Sequence, residues 1–178
     1  MAYLRTVERR ISERVVRKSI DRILRETSLA SLSTVAPGGQ AHIHTAYVCF
    51  SRDLEFFFLS DPRSRHVGNL RRNPSMAVTV FRSTQAWGGS DRGLQLFGTC
   101  AEARDDDAIH AARLYGARFP RYRRIMEGRT PQAKRQATGL RSYRFYRFVP
   151  TRLKILDERT FGGAVFVEVK LPRTRGKS

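Results

Sequence analysis

Residues 29–60 read "LASLSTVAPGGQAHIHTAYVCFSRDLEFFFLS". Three β-prone runs, 29–35, 41–50 and 54–60, are separated by the turn-forming groups "APGGQ" and "SRD". Such runs, punctuated by proline, glycine and aspartate, predict a three-stranded antiparallel meander.

The next stretch, "LSDPRSRHVGNLRRNP" at 59–74, changes period. Val67 and Leu70 fall three apart, and Pro74 pushes its predecessor out of helical backbone, so a helix of about two turns is predicted between 61–64 and Asn73. The first four amides of a helix have no partner within it, and the helix dipole leaves positive charge at that end. Ser60 and Ser64 add hydroxyls there, and Arg63 and Arg65 add guanidinium groups, which together suit a phosphate. The structural alternative is that Asp61 or Ser64 is simply a helix cap.

Upstream, Leu4, Val7, Ile11, Val15, Ile20, Ile23 and Leu24 follow a helical spacing with a slip near Arg17 and Lys18, which predicts one or two amphipathic helices. Downstream, "SMAVTVFR" (75–82) reads as a strand, and the polar loop "STQAWGGSDR" leads to a strand at 93–104 with apolar groups on both faces. Asp105, Asp106 and Asp107 offer caps and first-turn charge for a helix reaching about Gly116. Residues 119–141 hold Pro120, Gly128, Pro131 and Gly139 and are expected to be irregular or partly helical. Two further strands are expected, at 142–157 and 161–171. The organisation is a helical segment at 1–27, one domain at 28–171 and a disordered basic tail at 172–178.

A chain of 178 residues with 40% hydrophobic content suffices for one packed domain. No apolar run long enough to cross a bilayer occurs, the N-terminus has no apolar signal core, and the expected location is the cytoplasm. Cys49 and Cys100 lie in separate apolar runs without close metal-ligand spacing, so both are expected to be buried thiols. The formal net charge is +18, and between Arg113 and Arg147 eleven Lys or Arg stand against one acid, Glu127. Interleaved tyrosines and phenylalanines make that segment a candidate for RNA or single-stranded DNA; the alternative is a solvated arginine-rich surface. His42 and His44 share a strand face and are read as the polar edge of a pocket rather than as a metal site. Trp87 either lids a planar ligand or packs over a strand end. No nucleophile elbow, Walker loop, dinucleotide fingerprint or zinc-protease helix is present, so any catalysis would rest on a bound cofactor.

From about Ile20 to Arg104 the order of a short helix, "LASLSTVAPGGQAHIHTAYVCF", "LEFFFLSDPRSRHVGNLRRNPSMAVTV" and "GLQLFGTCAEA" resembles the flavin-binding split β-barrel family related to pyridoxamine 5'-phosphate oxidase. "ARFPRY" and "RFVPTRLKILDERTFG" resemble an uncharacterised bacterial subgroup of it. The resemblance implies a mostly β, mostly antiparallel split barrel with flanking helices, assembled as a homodimer around FMN. It places the flavin ring and ribityl chain along His44, Thr45, Ala46, Tyr47 and Val48, and the phosphate at Ser60, Ser64, Arg65 and His66. Gln95 becomes a candidate contact to the ring. A deazaflavin cofactor or haem are alternatives within the same fold.

Compared with the oxidase pattern, His44 replaces an arginine, and Cys49 and His66 replace lysines. Each charge-assisted hydrogen bond contributes roughly 1.5 to 3 kcal/mol, so Arg63, Arg71 and Arg72 are candidate compensators. The segment "RFVPTRLKILD" departs from the oxidases' vitamin-binding residues. The implied activity is therefore a flavin-dependent oxidoreduction of an unidentified small molecule, not vitamin B6 oxidation. The alternative is a non-catalytic protein that binds a cofactor or nucleic acid.

Overall fold

A computed structural model of the protein describes residues 11–171. The expectations for residues 4–10 and for the tail at 172–178 lie outside that range. Helix α1 (Glu13–Glu26) runs unbroken through Arg17 and Lys18. It buries Val16, Ile20, Ile23 and Leu24 and leaves Val15 outside. The slip disappears once Val16 replaces Val15 in the stripe, because the buried positions then keep one helical face.

Strands β1 (Leu29–Val35), β2 (Ala41–Phe50) and β3 (Phe56–Ser60) form the expected meander. Leu29 pairs with Tyr47 and Val48 with Phe58, both antiparallel. The turn between β1 and β2 uses Gly38 and Gly39 at φ 80° and 79°, a conformation that side chains disfavour. Helix α2 (Arg65–Arg72) then carries the chain to β4 (Ser75–Phe81), which pairs with β1 rather than with its sequence neighbour β3.

Strand β5 (Arg92–Glu102) pairs with β4 and with the long β6 (Arg144–Asp157). A bulge at Phe97 and Gly98 brings the two backbones close, and a Cβ on Gly98 would stand 2.1 Å from the Val149 carbonyl oxygen. Only glycine permits that approach. Strand β6 pairs in turn with β3, which closes six antiparallel strands into a barrel. Strand β7 (Phe166–Lys170) adds to the outer edge of β6. It is shorter than the expected 161–171, because residues 158–161 form α6 (Glu158–Phe161) and Gly162 ends that turn at φ 79°.

The chain between β5 and β6 is helical almost throughout. Helices α3 (Asp105–Arg118), α4 (Pro120–Glu127) and α5 (Pro131–Arg141) occupy the stretch expected to be irregular. Pro120 and Pro131 stand at the first helical turn, where the missing N–H loses no bond, and the Thr130 hydroxyl accepts from the Ala133 amide at 3.1 Å. The aspartates do not cap α3 through their side chains; Asp107 instead pairs with Arg147 at 2.7 Å.

Successive residues of β3 serve two cores. Phe56 and Phe58 face the barrel interior with Phe148, Leu96 and Leu153, whereas Phe57 faces α3 with Cys49, Ala111 and Phe145. Both cysteines are buried and unpaired. Helix α1 is tied down at its middle and at its C-terminal end. Ser19, Arg22 and the Thr160 amide donate to buried Asp157, and Arg118 donates to the carbonyls of Leu24 and Thr27 at 2.5 and 2.9 Å. Among the described residues no helix is long and apolar enough to cross a membrane.

Candidate functional site

The end of β3 and the start of α2 bring the predicted hydroxyls together. Ser60, buried at the strand end, lies 2.6 Å from His66 Nε2, and the Ser64 hydroxyl lies 3.0 Å from the same nitrogen. The two hydroxyls are 3.4 Å apart. Ser64 occupies the position before the helix, yet its side chain satisfies no helix amide. The capping alternative thus fails for Ser64, and the first-turn amides of α2 stay open toward the hydroxyl pair. Asp61 is no cap for those amides; it accepts from the Arg63 amide, Nε and Nη2 at 2.8, 3.2 and 3.0 Å. That exposed pair neutralises Arg63.

Strand periodicity sends His42, His44 and Ala46 to one face of β2 and Ile43, Thr45 and Tyr47 to the other. The His44 ring stacks on His66 with centroids 3.6 Å apart and planes 9° from parallel. His42 stands 6.3 Å from His44 and 6.4 Å from His66, centroid to centroid. Both ring nitrogens of His44, and Nδ1 of His42, are buried without a hydrogen-bond partner. Burial, then the neighbouring His66 and His42, push His44 down to about 4. Burial and His42 also lower His66. The pair is therefore neutral at pH 7, and this cluster offers donors and acceptors rather than charge. Unpaired buried nitrogens carry a desolvation cost that a polar ligand would relieve. Among the described residues no group of three His, Cys, Asp or Glu side chains is arranged to hold a metal ion.

The other predicted contacts divide. Val48 is buried and unreachable, Ala46 packs against the core, and Thr45 and Tyr47 lie on the outer face. Gln95 pairs with Thr79, Thr79 with Ser31, and Ser31 with Thr45, so the four form a polar row across the outside of the sheet. At usual strand spacing Gln95 is about 14 Å from Thr45. A cavity of about 470 Å³ opens on this row, lined by Leu29, Ser31, Thr45, Thr79, Phe81 and Arg82. Ser60, Ser64, His66 and His44 thus converge, while Gln95 stands apart from them within one subunit. Arg65 is exposed in the first turn of α2, and Arg71 and Arg72 occupy its opposite end. The i, i+2 spacing of His42 and His44 places them together on one face as the polar edge of a pocket; what local sequence does not show is that His66 joins them.

Most arginines of the basic segment are exposed, while Arg118 lies over the Phe50 and Phe119 rings at 5.3 and 5.9 Å. Tyr115, Phe119, Tyr122 and Phe145 pack on one another beneath α3 and α4, at centroid distances of 4.5 to 6.2 Å. Those four rings are thereby occupied, whereas Tyr143 is exposed. Trp87 is fully exposed in the loop between β4 and β5 and packs over no strand end.

Several solved structures share this fold at identities too low to bear on function. A conserved hypothetical protein of Mycobacterium tuberculosis superposes with a TM-score of 0.62 at 18% identity, covering 94% of this chain and 93% of its own. A protein of Clostridium acetobutylicum related to general stress protein 26, of the pyridoxinephosphate oxidase family, gives 0.61 at 13% identity, covering 90% and 97%. A heme binding protein of Mycobacterium smegmatis gives 0.66 at 12% identity, covering 92% of this chain and 60% of its own. No curated protein matches the chain. A family model described as pyridoxamine 5'-phosphate oxidase matches residues 16–156, which include the whole closed barrel and the serine and histidine cluster. With that match over most of its length, the chain belongs to the pyridoxamine 5'-phosphate oxidase family.

Proposed function

We propose that the protein binds FMN and serves as a flavin-dependent oxidoreductase for an unidentified small molecule, working as a homodimer. One observation carries this reading: Ser60, Ser64 and His66 converge at the open N-terminus of α2 while the stacked His44 keeps both nitrogens unpaired. Hydroxyls and first-turn amides would hold the phosphate, assisted by Arg65. Backbone groups of residues 44–48, with the unpaired imidazole nitrogens, would meet the ribityl chain and ring edge. When bound, a flavin supplies hydride and electron transfer, and the protein's part is to bind, orient and exclude water. The neutral His44 and His66 hold the anion by hydrogen bonding, which is weaker than the cationic contacts they replace.

The outer face supports the dimer. Ile43, Tyr47 and Leu29 are 67%, 54% and 43% exposed beside the polar row, an apolar patch suited to burial against a second copy. Sedimentation that returned only monomer at micromolar concentration would remove that part of the proposal.

Absorbance spectra of the purified protein, with and without added FMN, test the cofactor. Binding of micromolar FMN with shifted flavin bands is expected; an unchanged spectrum and no retention on gel filtration would sink it. Haem is the second reading, favoured by the imidazole nitrogens of His42 and His44 and by the fold shared with a heme binding protein. A Soret band on haem addition, lost in His42→Ala or His44→Ala, would favour it over FMN. Extraction and identification of a co-purified chromophore separates both from a deazaflavin.

A further inference from the structure

The proposed phosphate cradle has a charge problem. A phosphate monoester carries about −1.5 to −2 charge at neutral pH. The groups nearest Ser60 balance it only in part: His66 and His44 are neutral rings, Arg63 is spent on Asp61, and Arg65 is exposed with no hydrogen bond or ion pair among the described residues to hold it in place. Arg71 and Arg72 lie at the far end of α2, six or more residues along, which is about 9 Å up the helix axis.

The β3–β6 register points to another cation. Ser60 is the direct partner of Arg144. Cross-strand partners project on the same face with Cβ atoms about 4.5 to 5.5 Å apart. The two preceding pairs on that face, Phe58 with Tyr146 and Phe56 with Phe148, fill the barrel interior. Arg144 therefore stands at the barrel rim on the same side as the Ser60 hydroxyl. Its Nη1 donates to the carbonyls of Arg141 and Tyr143 at 2.9 and 3.0 Å, at the end of α5. Among the described residues no hydrogen bond is made by its Nη2 or Nε, and no carboxylate pairs with it. One nitrogen anchors the guanidinium, and the others remain for an anion.

We propose that Arg144 is the fixed cation of the phosphate cradle, supplying from β6 the charge that His44 and His66 do not carry at the end of β3. The assignment rests on the phosphate site of the proposed function. It names a binding residue that local sequence does not connect with the serine turn. An arginine fork also suits the ligand, since two N–H groups match two phosphate oxygens.

The test compares FMN with riboflavin, which lacks the phosphate, by fluorescence titration at fixed ionic strength. Arg144→Gln keeps an NH2 donor for the α5 carbonyls and removes the charge; Arg144→Lys keeps the charge. The expected result is a loss of FMN affinity of about tenfold or more in Arg144→Gln, with riboflavin affinity unchanged and partial recovery in Arg144→Lys. Equal losses for both ligands, or no loss for FMN, overturn the assignment. Thermal melts of all three proteins detect a folding defect, and in that event Arg144→Lys against wild type decides: retained FMN preference over riboflavin supports the cation, and its loss with an intact fold overturns it. If the wild type binds neither flavin, the flavin reading fails by itself. Inorganic phosphate titrated against the His66 imidazole NMR signal then judges Arg144: weaker phosphate binding in Arg144→Gln supports it, and unchanged binding overturns it.

Discussion

The rim around Ser60 and the helical cover formed by α3 to α5 use opposite arrangements of the same residue types. At the rim, imidazoles and hydroxyls turn inward onto one another and leave buried nitrogens unpaired. In the cover, Phe57, Ala111, Tyr115 and Phe145 turn inward, and the arginines of α4 and α5 are spread in solvent. The cover gains from apolar burial, whereas the rim gives up hydrogen-bonding and keeps polar groups ready. Unpaired buried groups are costly unless something completes them, which is why the rim is the part proposed to bind and the cover the part that adds packing.

The largest effect is expected from breaking the cover. Phe57 is fully buried between β3 and α3, and Phe57→Ala should lower stability by about 3–5 kcal/mol in urea unfolding. A change under ~1 kcal/mol would mean that α3 contributes little to the fold. The next effect belongs to the rim and depends on pH. His44 titrates near 4 in the fold against 6.5 when free. Between those values the unfolded chain binds more protons than the folded one, so stability should fall as pH drops from about 6.5 toward 4. Discounted for partial solvent screening, the loss is on the order of 1–2 kcal/mol. It should shrink in His44→Asn, and an equal pH slope in that variant would assign the loss elsewhere.

A change of about tenfold in FMN affinity, with stability unaltered, is the outcome expected of Arg65→Ala, because Arg65 is exposed and carries no structural contact among the described residues. Unchanged affinity would show that the phosphate does not lie at the α2 terminus. The smallest effect should come from the cover's surface: Arg121→Gln with Arg124→Gln should alter stability by under ~0.5 kcal/mol. The same pair tests nucleic acid. Affinity for a short single-stranded RNA or DNA that falls linearly in log salt, with a slope reduced by about 1.4 in the double variant, would make those arginines phosphate contacts. Identical slopes would leave them a solvated surface.

The fold was readable where local periodicity and turn chemistry agree. The meander of β1 to β3 followed from "APGGQ" and "SRD", and α2 followed from Val67, Leu70 and Pro74. The cover was not readable, because Pro120, Gly128 and Pro131 look like breaks. Each proline instead stands at a helix start, where only the neighbouring residues' commitment to helix reveals its role. The position of Gln95 in the polar row with Thr79, Ser31 and Thr45 was not readable, since periodicity assigns a face and says nothing of which strand lies beside it.

The sequence by itself determined the family, the alternation of the strands and the gathering of Ser60, Ser64 and His66 within one short turn. All three depend on residues a few positions apart, whose geometry the backbone sets. Tertiary structure alone decided that His44 stacks on His66, that Arg144 stands opposite Ser60, and that Tyr115, Phe119, Tyr122 and Phe145 face inward. Those relations arise from strand register and helix docking, which fix partners far apart in the chain only when the whole sheet closes on itself.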